Sequence, residues 1–317
     1  MGELEQVTSG LSFPEGPVAM PDGSVVLVEM FGQRITRVRP DGTTELVAEV
    51  PGGPNGLAIG PDGAGYVCNN GGCFSEVRLG EMSLPGPFDP DRYIGGRIQR
   101  VDLDTGEIAD LYTHCDGNPL RAPNDLVFDE HGGFYFTDHG YAEHGARIEH
   151  LTGLHYALAD GSSIREVAYP VSSPNGIGLS PDGTTLYWAE TMHGRVMQRR
   201  LTAPGELAPP AMPVGDCLAG LSGMQYLDSL AVDGDGNVCV ATLLNGGITV
   251  VSPGGEIVDF VATDDALTTN ICFGGPDLTT AFITLSSTGR LVRTTWPRSG
   301  APLHHLPRAS AGRAGRS

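Results

Sequence analysis

The sequence predicts an all-β chain folded as a six-bladed β-propeller, and three observations support this prediction. Gly (46 residues) and Pro (24 residues) are abundant in the 317-residue chain, where they bound the short apolar runs typical of strands. A strand-turn-strand unit recurs six times along the chain, at the spacing expected of propeller blades. No stretch sustains the apolar period of a helix, so a two-domain α/β fold fits poorly.

The repeated unit is a polar residue, an apolar strand, a tight turn and a second apolar strand. Its clearest copy is SPNGIGLSPDGTTLYWAE (Ser173–Glu190). In such a Pro-Asp-Gly turn, Pro fixes φ, Asp bonds its own backbone and Gly accepts a positive φ. In every copy the turn begins six residues after the opening polar residue. These opening residues are Glu15, Asn55, Asn124, Asn175, Asp228 and Asn270.

Six such units predict six blades in one domain. Further strand patterns fill the gaps, so that each unit has about four strands. The last unit lacks one strand, and ELEQVTS near the N-terminus can supply it and close the ring. We predict a single propeller domain over residues 1–297, a long loop over 69–96 at one mouth of the channel, and a flexible C-terminal tail over 298–317.

Composition limits the partners and the compartment. The formal net charge of −19 argues against a nucleic-acid surface or an anionic membrane as partner. The N-terminal sequence lacks the basic start and apolar core of a signal peptide, and no apolar run reaches the ~18 residues of a membrane span. The six cysteines include no C-x-x-C pair, which favours reduced thiols. We expect a cytoplasmic protein with no nucleic-acid or membrane partner, whose oligomeric state the sequence leaves open.

All six units open on an oxygen-bearing side chain, and a closed propeller brings equivalent positions together around one channel. Two carboxylates and four amides, with no Cys or His among them, suit a hard cation such as Ca²⁺ and do not resemble a structural zinc site. We predict one divalent cation in the channel, Ca²⁺ before the alternatives Zn²⁺, Mg²⁺ and Mn²⁺. The competing interpretation is that these residues only cap strands or form Asx-turns.

Other catalytic signatures are missing from the sequence. It contains no G-x-S-x-G elbow, no H-E-x-x-H and no G-x-x-x-x-G-K-[ST], which are the signatures of three common hydrolase and nucleotide-binding sites. Among the histidines, His139 follows the predicted inner-blade strand FYFTD. We therefore expect His139 near a channel mouth, where it is a candidate for substrate contact.

Four motifs stand in order at blade spacing: FPEGP, PND, SPNGIGLSPDG and YLDSLAVDGDGN, which begin at Phe13, Pro123, Ser173 and Tyr226. With them the chain resembles the regucalcin (senescence marker protein)/gluconolactonase/luciferin-regenerating family of six-bladed propellers. The resemblance covers residues 10–296, nearly the whole chain.

The resemblance implies that Glu15, Asn175 and Asp228 hold one divalent metal, and that Asn124 contacts the substrate or the metal. Sugar-lactonase relatives often place an Arg two residues before that Asn to hold substrate hydroxyls. Here that position is Ala122, and Arg121 precedes it, so Arg121 becomes the candidate for substrate contact.

Two further asparagines complete the predicted substrate-binding set. Asn69 opens the NNGG segment, which many bacterial relatives of this family carry, and Asn55 belongs to the ring of opening residues. The full predicted set for substrate binding is therefore Asn55, Asn69, Arg121, Asn124 and His139.

These features predict a metal-dependent lactonase, similar to gluconolactonase, that opens a sugar-acid lactone or another small lactone. Asp228 is the predicted general base for the attacking water. The alternatives are an organophosphate or other ester hydrolase, an activity that diisopropyl fluorophosphatase has on the same architecture, and a non-catalytic calcium-binding or interaction propeller. A condensing enzyme like strictosidine synthase is a more distant alternative, because it needs no metal ring.

Overall fold

The computed structural model describes residues 2–142, 151–210 and 216–306. Within them the chain is built from strands in antiparallel sheets around a central channel, which confirms the predicted all-β, six-bladed propeller. The helical segment of this part of the chain is one 3₁₀ turn, Thr191–His193. The described residues include no helix long and apolar enough to cross a membrane.

The strands of the first half of the chain are the following. An N-terminal strand, β1 (Glu5–Ser9), precedes blade 1, which contains β2 (Pro14–Ala19), β3 (Val25–Glu29), β4 (Arg34–Val38) and β5 (Thr44–Glu49). Blade 2 contains β6 (Pro54–Ile59) and β7 (Gly65–Asn69), then, after a hairpin of β8 (Glu76–Leu79) and β9 (Met82–Pro85), β10 (Arg97–Val101) and β11 (Ile108–Tyr112). A small pair, β12 (His114–Cys115) and β13 (Asn118–Pro119), leads to blade 3, which contains β14 (Pro123–Phe128), β15 (Gly133–Asp138), β16 (Leu151–Leu158) and β17 (Ile164–Ser172).

The second half continues the pattern. Blade 4 contains β18 (Pro174–Leu179), β19 (Thr185–Glu190), β20 (Arg195–Ala203), β21 (Glu206–Leu207) and β22 (Cys217–Gly220). Blade 5 contains β23 (Tyr226–Val232), β24 (Val238–Leu243), β25 (Gly247–Val251) and β26 (Ile257–Ala262), and blade 6 contains β27 (Thr268–Gly274), β28 (Thr280–Leu285) and β29 (Arg290–Thr295). The N-terminal strand β1 pairs with β29 as the fourth strand of blade 6, so the predicted closure of the ring by ELEQVTS is confirmed.

Each pair of neighbouring blades encloses its own apolar cluster. Phe134 packs between blades 2 and 3 and Trp188 between blades 3 and 4, and both are almost fully buried. The outermost strands, by contrast, expose much of one face to solvent, as β5 and β26 do. Burial of large side chains on both faces of the inner sheets holds the blades rigidly around the channel.

The turn between the first two strands of each blade follows the predicted chemistry. Five of these turns place a Gly at positive φ, for example Gly23 (85°) and Gly183 (67°). In the sixth, Leu278 occupies the equivalent position at φ 58°, a conformation that is uncommon for a side chain with a Cβ. The degenerate last copy of the repeat therefore keeps the turn geometry without the Gly. We call the end of the propeller that carries these turns the lower end, and the end where the innermost strands begin the upper end.

Residues 298–306, which the sequence analysis assigns to a tail, cross the lower end of the channel. Arg298 forms an ion pair with the buried carboxylate of Asp233 (2.6 Å) in blade 5, and the Ala301 amide donates to the Val232 carbonyl (2.9 Å). At the far side, His305 Nε2 lies 2.9 Å from the Asp129 carbonyl of blade 3. Together with Pro302 and Leu306, this segment closes an apolar cavity of about 120 Å³ in the lower channel. The remaining predicted tail, 307–317, lies outside the described residues.

The predicted mouth loop, residues 69–96, contains the hairpin of β8 and β9 and reaches across the upper end. The Ser83 amide of this hairpin donates to the Ser287 carbonyl of blade 6 (2.8 Å). The segment starts and ends in blade 2, and blades 2 and 6 are the two neighbours of blade 1. To reach blade 6, the segment therefore passes over the upper end of blade 1. We call residues 69–96 the mouth segment.

His155 gives a pH dependence of stability that can be tested. Its ring stacks on Phe136 (centroids 4.8 Å apart, 14° between planes), its Nδ1 has no hydrogen-bond partner, and burial lowers its pKa to about 4. The unfolded chain therefore takes up a proton near the ordinary pKa of 6.5, whereas the folded protein does not. Stability is lost as pH falls from about 7 to 4, by up to about 3 kcal/mol.

We expect His155→Phe to remove this contribution. The difference in free energy of unfolding between the variant and the wild-type protein, measured by urea denaturation, should favour the variant by about 2 kcal/mol more at pH 5 than at pH 7.5. An equal difference at the two pH values would show that the pKa of His155 in the folded protein is not lowered.

Candidate functional site

The six opening residues lie at one level of the channel, and a local feature of each blade places them there. In every blade, the register between the innermost strand and its neighbour shifts at or beside the opening residue. Such bulges change the direction of a side chain and are common next to functional sites. All six side chains are buried, between 2% and 8% exposed. We call this set the channel ring; its members are Glu15, Asn55, Asn124, Asn175, Asp228 and Asn270.

Glycines that follow three of the ring residues let neighbouring innermost strands approach closely. A Cβ on Gly56 would lie 2.5 Å from the Asn124 carbonyl oxygen, and one on Gly176 would lie 2.5 Å from the Leu230 amide nitrogen. A Cβ on Gly16, which has φ +50°, would lie 2.7 Å from the Leu57 amide nitrogen of blade 2. The Gly of each Glu-Gly or Asn-Gly pair therefore allows two innermost strands to lie close together, which keeps the channel narrow just below the ring.

Several ring members contact one another. Asn270 Nδ2 donates to Glu15 Oε2 at 3.4 Å, and Asn175 hydrogen bonds to the Asp228 carboxylate. Asn175 Nδ2 also lies 3.2 Å from Thr191 Oγ1, in the 3₁₀ turn above the ring. The amide oxygens behave differently: Asn124 Oδ1 and Asn175 Oδ1 are buried and have no hydrogen-bond partner. A buried oxygen without a donor costs free energy unless a ligand satisfies it.

The ring carboxylates also lack a positively charged partner. Some other buried carboxylates are paired with arginines, as Glu29 is with Arg34 at 2.8 Å and Asp233 with Arg298. Among the described residues, no Arg or His forms an ion pair with Glu15 or Asp228. Two buried acids in this arrangement either stay protonated or require a cation.

Titration follows from this environment. Burial, with the nearby charges of Asp228 and Asp125, raises the pKa of Glu15 well above its ordinary value. Burial likewise raises the pKa of Asp228 to about 7, although the hydrogen bond from Asn175 opposes this shift. Strongly raised carboxyl pKa values in a channel are typical of functional sites.

These residues fit a hard divalent cation. Two buried carboxylates without a cationic partner and two buried amide oxygens without donors belong to the channel ring, and oxygen donors of this kind are those that Ca²⁺ prefers. Within the described chain, no three His, Cys, Asp or Glu side chains converge in a metal-binding arrangement, so any cation here would depend on the asparagine oxygens as well as the two acids.

Asp125 belongs to this site, and the sequence analysis missed it. It is 7% exposed, its Oδ1 accepts a hydrogen bond from the Leu126 amide (2.9 Å), and burial raises its pKa to about 7. The repeat could have identified Asp125, because the position after the opening residue is Gly, Ser or Ile in the five other copies. Only the third copy carries a charged residue there.

The predicted substrate-binding residues fall into two groups. Asn55 lies in the ring, where its Nδ2 is 3.8 Å from Met30 Sδ. His139 is buried at the upper end of blade 3; its amide donates to the Ala122 carbonyl (3.0 Å) and its Nδ1 lies 2.9 Å from the Gly140 carbonyl. Both are close to the channel mouth.

The other two make hydrogen bonds to neighbouring connections of the chain. Asn69 is fully buried, and its side chain bonds to the Gly53 and Gly71 amides, to the Pro51 carbonyl and to Gln99. Arg121 lies with its guanidinium over the Tyr141 ring (4.5 Å) and donates to the Tyr141 carbonyl (3.0 Å). Asn70, which follows Asn69, approaches Met30 Sδ at 3.4 Å, on the side of Asn55.

Known proteins are similar to this chain in sequence. Lactonase drp35 of Staphylococcus saprophyticus is 31% identical over 80% of this chain and 72% of its own length. Gluconolactonase of Zymomonas mobilis is 24% identical over 92% of this chain and 81% of its own.

Solved structures extend the likeness of fold. A gluconolactonase from Xanthomonas campestris superposes with a TM-score of 0.72 at 21% identity, covering 93% of this chain and 90% of its own. A calcium-binding protein, regucalcin from Agrobacterium tumefaciens, superposes with a TM-score of 0.73 at 17% identity, covering 98% and 97%. The family model described as the SMP-30/Gluconolactonase/LRE-like region matches residues 13–287, and the chain belongs to this family.

Proposed function

We propose that this protein hydrolyses a small lactone at the upper end of its channel, with one divalent cation, Ca²⁺ before others, held by Glu15, Asn175 and Asp228 and with Asn124 beside it. One observation carries the proposal: two buried carboxylates without a cationic partner and two buried amide oxygens without a donor share one level of the channel. Relatives named gluconolactonase and lactonase give the reaction class.

The cation, when bound, would act as a Lewis acid that stabilises negative charge developing on the lactone carbonyl oxygen. Asp228 is the proposed general base, because burial raises its pKa to about 7, which suits a base that works near neutral pH. Its carboxylate also accepts a hydrogen bond from Asn175. That bond orients the carboxylate, which takes a proton from the water as it adds to the lactone carbonyl carbon. The protonated carboxyl then gives this proton to the ring oxygen as the acyl–oxygen bond breaks, which yields the hydroxy acid.

The remaining groups would orient the substrate. Asn124 and Asn55 present amides to the channel without adding charge, and His139 stands at the mouth. Glu15 and Asp228 together balance the charge of a divalent ion, which suits an uncharged ester better than an anionic phosphate ester.

A panel of sugar, aliphatic and aromatic lactones, assayed with a pH indicator, tests the proposal. We expect acid release that EDTA abolishes and an added divalent ion restores. Paraoxon, a phosphotriester, is included in the panel as the substrate that tests the alternative, an organophosphate hydrolase. Calcium binding by calorimetry without turnover of any lactone would instead favour a calcium-binding protein without this activity.

We expect the mouth segment to govern substrate choice. Replacing the β8–β9 hairpin (Glu76–Pro85) by a short Gly-Ser link removes the bond from Ser83 to blade 6 but leaves all six ring bulges in place. The ranking of lactones by kcat/KM should change, while calcium affinity and cooperative thermal unfolding stay near wild type. Loss of calcium binding in this variant would show that the segment is needed to build the ring.

A further inference from the structure

A side pocket opens beside the channel ring, between the mouth segment and the top of blade 1. It has a volume of about 100 Å³. Met30 forms its floor, Phe31 and Phe74 form walls, and Arg92 and Ile94 of the mouth segment lie at its rim. Since the mouth segment arches over blade 1, the pocket exists only because that segment is longer than the corresponding connections of the other blades.

The pocket adjoins the ring directly. Met30 Sδ lies 3.8 Å from Nδ2 of the ring residue Asn55 and 3.4 Å from Nδ2 of Asn70. A group bound on Met30 is therefore one side chain away from the ring. Methionine adapts its shape to apolar groups and makes favourable contacts with aromatic rings, so this floor suits a carbon chain or a ring.

Both aromatic walls are held in place by neighbours that also belong to the mouth. Phe31 packs on Phe13 (centroids 5.0 Å apart), two residues before Glu15. Phe74 packs edge-on against His139 (6.2 Å). The pocket thus lies between the blade 1 and blade 3 sides of the mouth, and its walls keep their positions without a ligand.

Arg92 supplies the charge. Twelve other arginines form ion pairs with carboxylates. Arg92 is exposed and has no carboxylate within 4.0 Å in the described part of the chain, although the protein carries a net charge of −19. A guanidinium left without a partner beside an apolar pocket is complementary to a carboxylate, which it can bind through two parallel hydrogen bonds.

We propose that the side pocket binds an acidic arm of the substrate: a lactone whose apolar substituent lies between Phe31 and Phe74 and ends in a carboxylate held by Arg92. This inference rests on the proposed lactone hydrolysis and adds the class of substrate. It predicts a lactone of an apolar dicarboxylic acid in preference to a polyhydroxylated sugar lactone.

Matched lactones test the pocket. The first carries a four-carbon side chain that ends in a carboxylate, and the second ends in the uncharged primary amide. We expect the wild-type protein to favour the acid in kcat/KM, through KM, and Arg92→Gln to lower the acid-to-amide ratio about threefold. Arg200→Gln is the matched control, because Arg200 is an exposed arginine on β20, away from the mouth, with no ion pair in the described chain. It removes the same charge and should leave the ratio unchanged.

Binding without turnover separates failure of the pocket from failure of the proposed function. Saturation-transfer NMR with 4-phenylbutyrate and 4-phenylbutanamide requires no hydrolysis. We expect the acid to bind the wild-type protein more tightly than the amide, Arg92→Gln to weaken the acid alone, and Phe74→Ala to weaken both. Equal binding of the acid by the wild-type, Arg92→Gln and Arg200→Gln proteins would overturn the pocket, even if lactones are hydrolysed. If no lactone is hydrolysed but the acid still binds in a way that depends on Arg92, the proposed lactonase activity is wrong and the pocket is an anion-binding site.

Discussion

Replacing Glu15 by Gln is expected to remove cation binding and lactone hydrolysis together. Glu15 is 2% exposed and has no arginine partner, so its negative charge is available to a cation in the ring. Loss of one carboxylate ligand and of the Lewis acid it holds should lower kcat/KM by about 10³-fold or more. Calorimetric titration with Ca²⁺ and elemental analysis of the purified protein measure the binding. Retention of the cation at wild-type affinity would remove Glu15 from the ligand set.

The same substitution should have the opposite effect on stability once the cation is chelated. A buried carboxyl whose pKa is raised well above 4.5 releases its proton more readily in the unfolded chain, so the folded state loses stability as pH rises above that value. A neutral Gln avoids this cost. At pH 8 with EDTA, Glu15→Gln should therefore melt at a higher temperature than the wild-type protein. Added Ca²⁺ should raise the melting temperature of the wild-type protein alone.

Glu29→Gln is the matched control, because it makes the same change in the same blade. Glu29 is fully buried, but its carboxylate is held by Arg34 at 2.8 Å and by the Thr36 hydroxyl at 2.6 Å. Replacing Glu29 by Gln weakens these bonds and leaves the Arg34 side chain, which is 40% exposed, without its charged partner, so the folded state should lose about 1–3 kcal/mol. The Glu29 variant should thus melt lower with or without Ca²⁺, yet bind the cation. If both variants behave alike, the difference between paired and unpaired carboxylates does not define the site.

The fold could be predicted from the sequence because the same strand-turn-strand unit occurs six times. The turn residues and the alternating apolar positions are local signals, and blade closure follows from their number, so that even β1 was assigned to blade 6 correctly. The channel ring was predicted by the same argument, since equivalent positions of a closed propeller meet at its axis. The contacts between ring members could not be predicted in this way, because the equivalence of positions does not specify the direction of each side chain.

The remaining differences come from parts of the chain outside the repeat. Asn69 opens a motif that predicts substrate contact, and its hydrogen bonds to the Gly53 and Gly71 amides were not part of that prediction. Arg121 is turned towards Tyr141, a partner on a different connection of blade 3. Residues 298–306 have the composition of a tail but find buried partners, such as Asp233, that only the assembled propeller provides. Non-local pairings of this kind leave no periodic signal in the sequence.

Asp228 is expected to act in the chemistry and not only as a ligand. Asp228→Asn keeps the size of the side chain and one ligand oxygen, so raised Ca²⁺ should still saturate it, as calorimetry can show. Loss of a general base typically lowers the rate about 10²–10⁴-fold, and we expect kcat at saturating Ca²⁺ to fall within this range. In the protein without cation, burial holds the pKa of Asp228 at about 7, and an adjacent positive charge lowers it. The wild-type rate should decline on the acid side as this carboxylate takes up a proton, and that decline should be missing from the variant.

Chemical rescue separates a base from a ligand. Asp228→Ala leaves space beside Asn175, and formate can enter it and accept the proton that Asp228 would have taken. At saturating Ca²⁺, formate should therefore raise the kcat of Asp228→Ala at least tenfold, whereas Glu15→Ala, which loses only a ligand, should gain little. If instead Asp228→Asn recovers most of the wild-type rate when Ca²⁺ saturates it, or if formate restores both Ala variants equally, Asp228 holds the cation and another group accepts the proton. Asp125 would then be the group to replace next, since its carboxylate is buried beside the ring with a pKa of about 7.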